Sequence, residues 1–97
     1  MQNTKPDPEK RVLVVDAKDN VATALADLAV GDEVRVEGRS LRLGTAVPFG
    51  HKVALREIAQ DAPVVKYGET IGRATRAIGA GEHVHVHNIA SLRAKRL

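Results

Sequence analysis

Apolar residues in this chain cluster in short stretches that are broken often by polar and turn-forming positions. Val12 to Val15 is a compact, β-branched-rich run, the composition of a short strand. Val21, Ala24, Leu25 and Leu28 then fall at i, i+3, i+4 and i+7, which predicts one short amphipathic helix near residues 20–29, with Asp19 and Asn20 as its cap. Beyond Leu28 the period drops to two. In "VRVEGRSLRL" the pairs Val34, Val36 and Leu41, Leu43 flank Gly38, the pattern of a β-hairpin with a tight turn. A weak internal repeat runs through the remainder: an apolar residue, a turn residue three positions on, and a strand-opening valine three beyond that. Its copies are Leu28-Gly31-Val34, Ile58-Asp61-Val64 and Ile78-Gly81-Val84. Spacings of 30 and 20 residues are too irregular for a solenoid and predict a folded-over or barrel-like arrangement of short strands.

Composition narrows the picture. With 97 residues and 43% hydrophobic content, one small domain is predicted, too small to house a large enzyme alone. One Phe, one Tyr and no Trp leave the core to Val, Ala, Leu and Ile and argue against a base-stacking nucleic-acid module. Residues 1–10, MQNTKPDPEK, carry two prolines and no apolar periodicity, and read as a disordered leader. The domain is expected over residues 11–92, followed by a basic tail at 93–97 for solvent or a partner. A formal charge of +3 suits an anionic substrate or partner. The absence of cysteine excludes disulfides and thiolate chemistry. No apolar run approaches the roughly 20 residues of a membrane span, so a soluble, cytoplasmic protein is expected, without a membrane or nucleic-acid partner.

The candidate chemistry lies in "GEHVHVHN", Gly81 to Asn88, which holds three of the four histidines at alternate positions. In a strand, Val84 and Val86 would turn to the core while His83, His85 and His87 face outward together. Two such imidazoles, with side chains about 6–7 Å apart at the base, can converge on one metal with bonds of about 2 Å. Three from one straight strand converge less easily. Without a clear carboxylate ligand motif a self-contained metal site has little support from the residues; a site completed by another chain stays open, with His85 or His87 a candidate ligand, and a solvated strand face without chemistry is the competing reading. Elsewhere, "PFGHKVAL" sets His51 and Lys52 behind Phe49-Gly50, and "VVKYGETIG" sets Lys66 and Tyr67 before Gly68. Turns explain these glycines, and without the glycine-rich pattern and its helix the second stretch is no phosphate cradle. Together His51, Lys52, Lys66 and the histidine stretch supply groups suited to a hydroxy-carboxylate. No serine, cysteine or paired-carboxylate nucleophile stands out.

"DNVATALADLAVGDEV", "GHKVAL", "VVKYGETIGRA" and "GAGEHVHVHN", in this order, resemble the amino-terminal SAF domain of the altronate and galactarate dehydratase family, over about Arg11 to Leu92. That family also includes sulfolactate sulfo-lyase, whose small subunit is a separate chain of this size. The resemblance implies a mainly β fold, an SAF-type β-clip of short strands. It also implies an enzyme that eliminates water, or sulfite, from a sugar acid or sulfolactate. Such chemistry takes a proton α to a carboxylate and must stabilise the resulting enediolate-like charge. A divalent metal, iron or manganese, is implied, held mainly by a large catalytic subunit whose site the SAF domain covers or completes. On this resemblance the chain is expected to be the small subunit, or amino-terminal domain, of a carbon–oxygen hydro-lyase of the altronate dehydratase type, inactive alone. The alternatives are a sulfolactate sulfo-lyase small subunit, a stand-alone carbohydrate or sugar-acid binding module, and a purely structural subunit. The family's "GHK", "KYG" and "GEHVHVHN" fall on Gly50 to Lys52, Lys66 to Gly68 and Gly81 to Asn88. They mark His83, His85 and His87 as the shared active-site face and His51, Lys52, Lys66 and Asn88 as substrate contacts.

Overall fold

The computed structural model describes residues 11–92, and the leader and basic tail expected at 1–10 and 93–97 lie outside the described residues. Nine short strands follow one another: β1 (Val12–Leu13), β2 (Val21–Ala24), β3 (Glu33–Val36), β4 (Arg39–Arg42), β5 (Lys52–Ala54), β6 (Pro63–Lys66), β7 (Glu69–Ala74), β8 (His83–Val84) and β9 (Ile89–Ser91). They form a four-stranded sheet in the order β1-β2-β5-β8, the hairpin β3-β4, and a three-stranded sheet β6-β7-β9. Every pairing between these strands is antiparallel. This is the mainly β architecture of short strands that the irregular repeats predict and the family resemblance implies.

The helix expected near residues 20–29 is absent, and the described residues contain none. Val21–Ala24 is instead the strand β2, between β1 and β5. Its apparent helical spacing arises because Val21, Ala22 and Ala24 enter the core from both faces of the sheet, and Leu28 enters it after a bend. A window of this length with β-branched residues gains little from helical hydrogen bonds alone. The residues read as its cap bind elsewhere. Asp19 accepts hydrogen bonds from the Asp16 and Gly68 amides (3.1 and 2.8 Å), while Asn20 accepts from Val65 N–H and donates to the Pro63 carbonyl (2.8 and 2.9 Å). These bonds tie the loop before β2 to the β6-β7 hairpin.

The weak repeat is the organising principle of the fold, with one more copy, Val47-Gly50-Val53, than the pattern disclosed. Leu28 bridges to Val47, and Ile58 bridges to Ile78. Each half then repeats the same backbone bonds. Gly31 N–H donates to Leu43 O as Asp61 N–H donates to Ala74 O, and Gly50 N–H donates to Ala24 O as Gly81 N–H donates to Ala54 O. The turns Glu37-Gly38 and Tyr67-Gly68 both have positive φ at their two residues (53° and 80°, 59° and 74°), the geometry of type I′ hairpins. Up to these turns the halves correspond at an offset of 30 residues, and after them at 31. The extra residue is Ile71, left unpaired by the bulge where Val64 pairs Gly72 and Val65 pairs Thr70. Two apolar clusters result. One contains Ala22, Leu28, Val34, Leu43, Val47 and Val53, and the other Val21, Ala54, Ile58, Val64, Ala74, Ile78 and Val84. The central sheet is thus covered on both faces, because adjacent residues such as Val53 and Ala54 serve opposite clusters.

Candidate functional site: a four-histidine face

The site forms where the edge strand β8 lies against β5. Their register is Lys52 to Val84 and Val53 to His83, and one residue further along it sets His51 opposite His85. The two rings stack with centroids 4.0 Å apart. His83 stands 5.1 Å from His51 and 5.5 Å from His85, also stacked, and His87 lies tilted 5.1 Å from His83. All four histidines of the chain therefore share one surface. His51 Nδ1 and His83 Nε2 are 2.9 Å apart, and ring nitrogens of His51, His83 and His85 all lie within 4.8 Å of one another. His51, expected as a substrate contact, is thus a member of the histidine cluster itself.

The histidines do not come from one straight strand. β8 ends at Val84, which is buried, whereas Val86 is 80% exposed. This corrects the expectation that both valines enter the core. From His85 the chain turns: Asn88 N–H donates to His85 O at 3.0 Å and the next strand begins at Ile89. Bending the segment lets the rings converge where a flat strand would hold them apart. Asn88 makes the bend. Its side chain is fully buried, with Oδ1 accepting from His85 N–H and Nδ2 donating to His83 O, both at 2.9 Å. Asn88, expected as a substrate contact, has both polar ends of its side chain bonded to the backbone. One support, Thr45, went unnoticed in the sequence, and the other, Gly81, was read there only as a turn. Thr45 Oγ1 accepts from His83 N–H at 2.8 Å, a pairing across 38 residues with no local signal. Gly81 opens the segment at φ 84°, and a Cβ there would run into the Arg42 carbonyl.

Burial first, then the charges of neighbouring His87, His51, His85 and Lys52, hold the His83 imidazole below its usual value. His85 is lowered in the same way, by burial and then by His51, Lys52 and His87. The neutral rings that result carry lone pairs able to accept a proton or ligate a cation. Lys52 pairs with Val84 and Thr23, so strand alternation sets it on the other face of the sheet from Val53 and His83. Burial and then repulsion by Lys66 lower its ammonium pKa. Lys66 in turn lies over the Tyr67 ring, 4.8 Å from its centroid. Two cations held close enough to repel one another are suited to an anion placed between or beside them.

The chemistry of the donor set fits a divalent transition metal: three imidazoles, partly buried, with nitrogens gathered in one place. Grooves elsewhere on the chain, such as one of about 330 Å³ between Val36, Leu41, Leu55 and Ala80, are not lined by the histidines.

The chain is similar in sequence to known proteins. The sequence profile of the altronate/galactarate dehydratase SAF domain matches residues 10–92. The chain is 54% identical over 74 residues to altronate dehydratase of Escherichia coli, a stretch covering 76% of this chain and 15% of that protein. Against altronate dehydratase of Bacillus subtilis it is 39% identical over 79 residues, covering 81% and 16%. Against (2R)-sulfolactate sulfo-lyase subunit alpha of Chromohalobacter salexigens it is 52% identical over 48 residues, covering 50% and 51%. The chain thus spans about a sixth of the length of the altronate dehydratases it matches. With this match over nearly all of the described fold, the chain belongs to the altronate/galactarate dehydratase SAF domain family.

Proposed function

We propose that this chain forms one wall of the active site of a lyase acting on a sugar acid or related hydroxy acid, and works with a larger catalytic chain or domain. The observation that carries this reading is the gathering of His51, the residue before β5, with His83 of β8 and His85 just after it, while Lys52, next to His51 on the other face of the sheet, is near enough for its charge to act on His83 and His85. Eliminating a β-leaving group requires a carboxylate to be held, a proton to leave the α-carbon and charge to be stabilised. Lys52 and Lys66 supply fixed positive charge for the carboxylate. A neutral imidazole of His83 or His85 offers its ring-nitrogen lone pair to a proton or to a metal, and Thr45 and Asn88 hold the backbone that carries those rings. A divalent metal, iron or manganese, in the assembled site would polarise the substrate carboxylate and stabilise the enediolate-like charge. The histidines line none of the grooves described above, so a second body is needed to exclude water, and the chain alone should be inactive.

Water is the favoured leaving group, because the matches to altronate dehydratases extend over 76% and 81% of the chain. The alternative, sulfite release from sulfolactate, is favoured by one observation: the sulfo-lyase relative is a subunit of which the matched 48 residues make up 51%, a chain of about this size. Tagged chain used as bait in extract of its own cells, followed by elimination assays of the eluate on altronate, galactarate and sulfolactate, tests both. Co-purification of a large chain with turnover of a sugar acid supports the first reading, and turnover of sulfolactate alone supports the second. Turnover by the isolated chain would overturn the shared-site reading.

A further inference from the structure

We propose that His51, His83 and His85 form a metal site carried by this chain itself, selective for borderline first-row divalent ions such as Fe(II), Co(II) and Zn(II) over Mn(II), Mg(II) and Ca(II). The site's place in catalysis rests on the lyase reading above, but its existence rests on this chain's geometry. Three imidazole nitrogens from two neighbouring strand ends lie within 4.8 Å of one another. Metal–imidazole bonds of about 2.0–2.1 Å put adjacent ligands roughly 3–3.5 Å apart. The closest pair, His51 Nδ1 and His83 Nε2 at 2.9 Å, lies just short of that separation, and the third ring can close the rest by side-chain rotation.

The surroundings hold the ligands as a metal site requires. Backbone bonds through Thr45 and Asn88 fix the His83 and His85 main chain, and the β5-β8 register fixes His51 against them. Selectivity follows from the donors. The cluster contains imidazoles and no carboxylate, and imidazole suits Zn, Fe, Ni and Cu, whereas Mg, Ca and Mn are served by oxygen ligands. An imidazole trio therefore favours Fe(II), Co(II) and Zn(II) over Mn(II). A three-ligand set also leaves coordination positions free for substrate or water.

The test is direct titration of the 97-residue chain with Co(II), Zn(II) and Mn(II), each as the metal alone. Calorimetry, cobalt ligand-field absorption and the imidazole ring resonances provide the readouts. Saturable binding of one Co(II) or Zn(II) per chain is expected, with Mn(II) at least about tenfold weaker and with the ring signals of His51, His83 and His85 shifting together. His51→Gln, His83→Gln and His85→Gln should each weaken Co(II) binding at least about tenfold. Circular dichroism checks the fold of each variant, and the wild-type ring resonances report the ligands even if a variant fails to fold. Absence of saturable binding, preference for Mn(II), or binding that leaves these three rings unshifted would overturn the site. Reconstituted lyase turnover without metal binding by this chain would overturn the metal site alone. Metal binding without any turnover in the assembled enzyme would instead count against the lyase reading alone.

Discussion

The two halves of the molecule share one backbone plan and differ in what they do at its end. In the first half, Val47, Gly50 and Val53 lead into β5, which runs on through Ala54 into the next unit. In the second half, Ile78, Gly81 and Val84 lead into β8, which stops after two residues and turns through His85 to Asn88. The shared part builds the two apolar clusters and supplies His51, and the second half's last stretch carries the other three imidazoles. A duplicated scaffold can hold a functional segment because its hydrogen bonds are already satisfied by the repeat, which leaves the last turn free to take residues for chemistry.

Equivalent glycines provide the strongest way to break the comparison. Gly50 and Gly81 hold the same place and nearly the same φ, 83° and 84°. A Cβ at Gly50 meets nothing within 4 Å, whereas one at Gly81 meets the Arg42 carbonyl. Gly81→Ala should cost about 3 kcal/mol or more, combining left-handed strain with backbone displacement. Gly50→Ala should cost only about 1–2 kcal/mol, from strain alone. Denaturant unfolding of the two variants measures the difference, and equal losses would show that the halves are packed alike at this point.

Asn88→Ala comes next. It deprives two part-buried backbone groups of their partner, with a loss of about 1–3 kcal/mol in urea unfolding. Co(II) affinity should fall with it, although every histidine is retained. Unchanged affinity would mean that the bend holds without Asn88.

Asp19→Asn probes the link between the loop before β2 and the second hairpin. Burial raises the Asp19 carboxyl, but backbone amides of Gly68, Asp16, Tyr67 and Val15 outweigh it and hold its pKa below the usual value. A depressed carboxylate pKa gives stability that is present above the unfolded value of 3.8 and is lost as pH falls through the folded value. The variant should be less stable by about 1–3 kcal/mol at neutral pH, and the gap should narrow below about pH 4. A pH-independent gap in thermal unfolding would contradict this account.

Much of the plan was legible in the sequence, for identifiable reasons. The hairpin across Gly38 follows from alternation and turn chemistry, and the repeat shows wherever a turn glycine or aspartate recurs between an apolar anchor and a valine. The copy at Val47-Gly50-Val53 was hidden by Pro48-Phe49, which reads as a loop. The helix expected near residues 20–29 failed because Val21, Ala24, Leu25 and Leu28 satisfy a helical period by coincidence, and because the partners of Asp19 and Asn20 lie more than 40 residues away. At the site, the importance of the histidine stretch was visible but its shape was not. A straight-strand reading sends Val86 inward and isolates His51, and only the β5-β8 register brings His51 to His85. The role of Thr45 was illegible, because its hydroxyl is an ordinary loop group until the fold sets His83 against it.

The central claim is that these histidines belong to an active site completed by a larger chain, and its most direct test is His85→Gln in the reconstituted complex. With fold and assembly unchanged, the account predicts a loss of turnover of about tenfold or more, equivalent to about 1.4 kcal/mol in the barrier. Full turnover in His85→Gln, and again in the variant with His51, His83 and His85 all replaced by Gln, would contradict it and leave the cluster without a catalytic part.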